Sequence, residues 1–306
     1  MHSLTFLGTS AGVPTRTRNV SALALQTQNS KAWTLFDCGE GTQHQILKSH
    51  LSAYHLSRIF ITHLHGDHVY GLFGLLASKG MQRSPAPLEI YGPRGLKEMV
   101  RTVMRLSQLH LPFELHITEI GPGDRLQLEG FTLDVIPLSH SVTSYGFILA
   151  FDDTPGHLDT EKAKAAGIPE GPLYGRLKRG ETVTLPDGRR FEGKDFLTPP
   201  TPGKRLALGG DNDEPMRFAP FAPFDLMVHE ATYTQEDFDR LPRKFKHTTA
   251  RQLGLAAQKM GLSKLILTHI SPRYDTDGRI LELLREVERV FDGEVEIAYD
   301  FMKIKF

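Results

Sequence analysis

Cysteine is nearly absent from this chain of 306 residues, with Cys38 the single one. That excludes an internal disulfide and a metal cage built on thiolates, and it suits a reducing interior. An excess of charge is also missing, since 36 Lys and Arg balance 36 Asp and Glu. No global field draws such a chain to a polyanion or an anionic membrane, so any polyanion must be held by a local patch. No uncharged apolar run reaches the length that a bilayer requires. Residues 1–8 contain no basic region followed by a long apolar stretch, so no signal peptide is read there. A soluble cytoplasmic protein with no membrane partner is expected. What is present is ordinary globular material, 40% hydrophobic and 24% charged, ample for a sizeable core.

Short β-rich runs alternate with helix-like segments from end to end, which predicts an α/β fold with helices covering sheets. Residues 4–7, 22–26 and 33–36 read as an N-terminal meander, and 58–62 as a compact buried strand. Later strands are expected at 132–137, 145–151, 206–208, 226–228 and 265–268, and helices at 69–78, 96–109, 249–260 and 280–291. Residues 152–203 break the rhythm. They are rich in Gly, Pro, Lys and Arg, with room for a short helix at 158–166 and a hairpin at Asp187-Gly188. A segment of that length without strong periodicity reads as an insertion within one domain spanning 1–306.

The sequence Thr62-His63-Leu64-His65-Gly66-Asp67-His68 directly follows the expected strand at 58–62. Its polar groups should therefore gather at the C-terminal end of a strand, where α/β sheets place their sites. Imidazole nitrogen and carboxylate oxygen are ordinary zinc ligands, and three His and one Asp within six positions can serve two ions, because alternate side chains diverge. His140, Asp211 and His269 each lie just past a further expected strand. A lone His at a strand end is usually an ordinary hydrogen-bonded residue; the repeated placement is what makes these candidates.

His63-x-His65-x-Asp67-His68, with His140, Asp211 and His269 following in order, resembles the metallo-β-lactamase superfamily. The resemblance implies an αβ/βα four-layer sandwich and two zinc ions per chain. Position by position, it implies one zinc on His63, His65 and His140, a second on Asp67, His68 and His269, and Asp211 bridging the two. The superfamily hosts several hydrolytic reactions, so the metal motif alone does not name a substrate.

Other segments narrow the reading. Asp37-Cys38-Gly39-Glu40-Gly41-Thr42-Gln43, Pro14-x-Arg16-x-Arg18-Asn19, His229-Glu230-Ala231-Thr232 and His247-Thr248-Thr249 together resemble the ribonuclease Z family, endonucleases that mature tRNA 3′ ends. Gly171-Pro172-Leu173-Tyr174-Gly175-Arg176-Leu177-Lys178-Arg179-Gly180 is similar to the Gly-Pro motif of that family's flexible arm. There Arg176, Lys178 and Arg179 are expected to meet backbone phosphates of a tRNA precursor, with Gly171 and Pro172 shaping an extended projection. Two positions depart from the family pattern. Arg16 stands where Lys is usual, which changes the fork of contacts, and Asn212 stands where Thr is common.

The resemblance implies an endoribonuclease in which a metal-activated hydroxide attacks the phosphodiester and the tRNA keeps a 3′-hydroxyl. Asp67 is expected to act as both ligand and proton acceptor. His247, paired with Glu230, is expected to protonate the leaving oxygen. Arg16, Arg18, Asn19, Thr248 and Thr249 are expected to contact the substrate. Asp37 either orients a ligand His or caps the following turn, and His229 reads as a buttress. A homodimer is also implied. The rival readings are a hydrolase of a small phosphodiester, lactone or thioester, and a catalytically silent RNA-binding relative.

Overall fold

The computed structural model describes residues 1–28, 30–276 and 278–306. They fall into two compact units, one of Met1–Ala150 with Arg205–Phe306 and the other of Phe151–Lys204.

The larger unit is built on two seven-stranded sheets. In the first, the spatial order is Lys303–Lys305, Ser3–Gly8, Ala22–Gln26, Trp33–Phe36, Leu56–Phe60, Leu88–Gly92 and Leu115–Glu119. The early strands pair antiparallel, and the run from Trp33–Phe36 to Leu115–Glu119 is parallel. In the second sheet the order is Glu294–Ile297, Lys264–Thr268, Leu226–Glu230, Arg205–Leu208, Tyr145–Phe151, Phe131–Pro137 and Arg125–Leu128. The first four of these are parallel. Strands such as Trp33–Phe36 and Leu226–Glu230 are buried along their whole length. Trp33, Leu35 and Phe36 in one and Leu226, Met227 and Val228 in the other are apolar because both faces of a parallel region are covered, while His229 and Glu230 end the second strand.

Helices cover one face of each sheet. Ile46, Leu72, Leu76, Leu96 and Val100 pack with Leu35, Ile59 and Ile90 on the first, while Leu253, Ala257, Leu283 and Val287 pack with Ala207, Met227 and Leu265 on the second. The other two faces meet through aromatic rings. Phe147 of the second sheet lies 5.6 Å from Phe36 and 5.5 Å from Phe60 of the first, and each such buried ring contributes about 1.5–3 kcal/mol. The result is the four-layer sandwich expected from the sequence. In both sheets the parallel strands deliver their C-terminal ends to the ligand candidates.

The smaller unit has a core of its own: Ala163, Ile168, Leu177, Val183, Leu185 and Phe196. Helix Pro172–Lys178 packs on a hairpin of Val183–Thr184 and Arg190–Phe191, and both it and helix Thr160–Ala165 pack on the turn Gly193–Phe196. The extended projection expected around Gly171-Pro172 is instead the start of a helix. Gly171, at φ 134°, is its N-cap and Pro172 its first residue, a position where a missing N–H costs nothing and a fixed φ helps. Among the described residues, no helix is long and apolar enough to cross a membrane.

Candidate active site

The turn that follows Leu56–Phe60 is held by another turn. Cys38 donates its amide to His68 O at 2.7 Å, and Gly71 donates back to Cys38 O at 2.9 Å. Any side chain at Gly71 would overlap Gly39 O, since a Cβ there would lie 1.9 Å from it. Asp37 pays in backbone strain with φ 58°, a conformation that persists only where the surroundings enforce it. Its carboxylate accepts from His68 Nδ1 at 2.7 Å and from the Thr62 amide at 2.8 Å. Asp37 therefore orients a candidate ligand and holds the turn that carries it.

Six of the seven candidate ligands surround Asp211. Its Oδ2 lies 3.8 Å from His63 Nε2 and 3.8 Å from His140 Nε2. Its Oδ1 lies 3.4 Å from His68 Nε2 and 3.3 Å from His269 Nε2. His65 Nδ1 completes the first set at 3.1 Å from His63 Nε2 and 3.2 Å from His140 Nε2. Asp67 Oδ2 completes the second at 3.5 Å from His68 and 3.4 Å from His269. Gly12 N also donates to that Asp67 oxygen at 2.9 Å. Two groups of donors thus converge, His63, His65, His140 and Asp211 in one and Asp67, His68 and His269 in the other.

These donors fit a pair of cations. Ligand atoms about 2.0–2.2 Å from an ion in a tetrahedron stand about 3.3–3.6 Å apart, close to the separations seen here. The tautomers agree. His140 donates from Nδ1 to the Lys246 carbonyl at 2.9 Å, and His68 from Nδ1 to Asp37. With Nδ1 so engaged in each ring, Nε2 is the nitrogen left to face a cation, alongside carboxylates and other imidazoles. Acceptors facing acceptors call for positive charge. Burial alone would lower the pKa of His68, yet Asp211 and Asp37 push it well above its usual value. Burial would raise Asp67 and Asp211, but the surrounding imidazoles hold both well below the carboxylate range.

Glu230 is buried at the end of its strand and accepts from the Asn212 amide at 2.7 Å and from the Thr232 hydroxyl. Thr232 Oγ1 also lies 3.1 Å from His269 Nδ1. His247 Nδ1 sits 3.0 Å from Glu230 Oε2 and 3.8 Å from Asp211 Oδ2. Burial would lower the His247 pKa, but Glu230 and then Asp211 raise it to about 9, so the ring carries a proton at neutral pH. His229 is fully buried, with Nδ1 on Glu230 O and Nε2 beside Asn212, and so buttresses the strand end.

Several expected substrate contacts are placed otherwise. Arg18 is buried, donating to Thr9 Oγ1 at 2.7 Å and Ala298 O at 2.6 Å, with Asp275 at 3.7 Å. Asn19 donates to Glu40 O at 2.9 Å. Both secure the loop that carries the exposed Arg16. Thr248 is buried, with its hydroxyl on Asn212 O, and Thr249 is the N-cap of Ala250–Met260 in a capping box with Gln252. Their hydroxyls serve the chain itself. Tyr233 and the loop 243–246, which are not among the residues expected above, line the cavity of about 420 Å³ that the clustered donors open into. A basic tetrapeptide directly before His247 was the signal available.

A family model described as Anti-Pycsar protein Apyc1 matches residues 2–159, a stretch that contains His63, His65, Asp67, His68 and His140. Over the full length, the ribonuclease Z of Acaryochloris marina is 44% identical across 305 residues, 98% of this chain and 96% of that one. The chain belongs to the ribonuclease Z family. Among solved structures, the short form of human tRNase Z matches with a TM-score of 0.68 and 28% identity, covering 99% of this chain and 98% of the other. The metallo-β-lactamase fold protein YhfI from Bacillus subtilis matches with a TM-score of 0.66 and 18% identity, covering 99% and 98%. The chain accordingly has the metallo-β-lactamase fold, and its His and Asp cluster is of the kind that binds divalent metal.

Proposed function

We infer that this member of the ribonuclease Z family is a metal-dependent endoribonuclease that removes the 3′ trailer from tRNA precursors, and we propose that it works with two zinc ions per chain. The observation that carries this is Asp211, whose two carboxylate oxygens face two separate histidine sets while His247 and Glu230 stand alongside. His63, His65, His140 and Asp211 would hold one ion, and Asp67, His68, His269 and Asp211 the other. When bound, the pair would supply an activated water and offset charge on the phosphoryl oxygens.

The chain's own residues account for the rest. Asp67, fixed by the Gly12 amide, is placed to accept a proton from the attacking water. His247, kept protonated by Glu230, gives its proton to the departing 3′ oxygen, so that the tRNA ends in a hydroxyl. Glu230 fixes the tautomer and orientation of that ring. Phe151–Lys204 is the substrate-gripping arm of this reading, with Lys178 exposed for phosphate contact. A cytoplasmic homodimer completes it. Leu47, Met81 and Leu106 are exposed apolar residues of the kind a second copy would cover.

Single-turnover cleavage of a 3′-extended tRNA precursor by metal-assayed protein tests the proposal, with Asp67→Ala alongside. A discrete cut near the discriminator base, lost in the variant, is expected. Intact RNA with two metals bound would sink it and return the search to small phosphodiesters and esters.

A further inference from the structure

Residues 241–246, Leu-Pro-Arg-Lys-Phe-Lys, join helix Gln235–Arg240 to His247, and positions 242–246 are exposed. The cavity lined by Arg243, Lys244, Phe245 and Lys246 is the one that His65, Asp67, His140, His247 and His269 open into. The loop is fastened at one end, where Lys246 O accepts from His140 Nδ1 at 2.9 Å and Lys246 Nζ lies 3.3 Å from Ser139 Oγ. Among the described residues none of its three cations has a carboxylate within ion-pair distance. Arg243 lies 5.8 Å from the Phe245 ring centre instead, and Lys244 lies 5.0 Å from that of Phe238. Phe245 itself is 49% exposed.

Lys244 also donates to the Phe238 carbonyl. An exposed aromatic ring among cations that no carboxylate neutralises, on the wall of a phosphodiesterase cavity, has the make-up of a single-strand seat. Rings stack bases of any identity, and cations track the backbone. The side of the scissile bond follows from the chain. His247 serves the 3′ oxygen of the retained nucleotide, and the loop is the segment that leads into His247.

We propose that loop 243–246 seats the last unpaired nucleotide on the retained side of the cut, with Phe245 stacking on its base and Arg243 and Lys246 holding the flanking phosphates. This rests on the tRNA reading above. It makes the loop a specificity element in the active-site cavity, separate from the arm.

The test is equilibrium binding of two uncleavable products to the full-length, zinc-loaded protein. One is a tRNA ending at the cleavage position, and the other is the same tRNA trimmed back to its last paired nucleotide. Wild type is expected to prefer the longer RNA. Phe245→Ala should weaken binding of the longer RNA by roughly tenfold and leave the trimmed RNA unchanged, and Phe245→Trp should restore the preference. Arg243→Ala with Lys246→Ala should lower the slope of log Kd against log salt by about 0.7 per cation, for the longer RNA only. Unfolding midpoints and zinc content matching wild type would show that each variant is folded. Equal loss on both RNAs, or no loss on either, overturns the proposal while leaving the tRNA reading intact. Failure of wild type to bind either RNA defeats the tRNA reading itself.

Discussion

The chain has two basic segments, and they hold their charge differently. In the smaller unit, Arg176 and Arg179 both bond Glu181, at 3.2 and 2.6 Å, Arg189 bonds Asp187 and Arg190 lies near Glu192. In the loop 243–246, Arg243 and Lys244 rest on aromatic rings and Lys246 lies beside the Ser139 hydroxyl, and no acid answers them among the described residues. Residues 176–179 and the loop 243–246 each carry three Lys and Arg, but their availability for a phosphate differs. In the arm, each guanidinium must first leave a carboxylate. Exposed pairs of this kind are weak and screened, so the arm's charge is held in reserve, whereas the loop's is committed to the cavity it lines.

The largest effect should come where the loop ends. His247→Ala is expected to slow cleavage of a tRNA precursor by roughly a hundredfold or more with zinc content unchanged, checked by single-turnover kinetics and elemental analysis of the same sample. The metal assay matters because His247 also converges with Asp211 and His269. Loss of zinc in the variant would make His247 a ligand and remove the loop's link to the leaving oxygen.

Next in size is removal of the arm. Its small core dictates where to cut, since a deletion confined to residues 156–190 would strip Ala163, Leu177 and Val183 away from Phe196. The whole of 152–203 should go instead, closed by a short Gly-Ser turn, because Ala150 and Arg205 are register partners on adjacent antiparallel strands. Affinity for a tRNA precursor should fall by roughly tenfold or more as phosphate contacts are lost, while hydrolysis of a nitrophenyl phosphodiester stays at the wild-type rate. Equal loss of both activities would give the segment a role in supporting the fold.

What was legible in the sequence was what is local. His63, His65, Asp67 and His68 sit within one turn, and each later ligand candidate follows a strand whose apolar run is plain. Trp33–Phe36 and Tyr145–Phe151 were read to the residue for the same reason. Leu88–Gly92 and Leu115–Glu119 lie toward the sheet's edge and are not legible in the same way: only alternate residues of the first are buried, none of the second is, and their apolar runs are short. Arg18 looked like a free cation in a loop because its partners, Asp275 and Ala298, are more than 250 residues away in the chain. The loop 243–246 escaped for the converse reason. Nothing in its composition says that it faces a cavity, and only tertiary structure puts it there.

A smaller change tests the held charge directly. Glu181→Gln should free Arg176 and Arg179, tighten tRNA binding a few-fold at low salt, and steepen the slope of log Kd against log salt by about 0.9 for each cation that reaches a phosphate. No change in slope would mean that these guanidinium groups do not meet RNA at all, leaving Lys178 to carry the arm's contact.

The smallest effect concerns the far side of His247, where sequence and structure assign Thr249 different work. As N-cap of Ala250–Met260, Thr249 holds the Gln252 amide and anchors the stretch that ends the loop. Loss of that cap in Thr249→Ala costs about 1 kcal/mol, which for a chain of this size lowers the unfolding midpoint by about 2 °C. Thr249→Ser should retain most of the stability, since a serine hydroxyl caps as well. Affinity for the tRNA precursor should follow stability and stay near wild type in both variants. A Thr249→Ala protein of unchanged midpoint but raised KM would return the hydroxyl to the phosphate contact suggested by the sequence, and would extend the RNA-binding surface past His247 onto the helix.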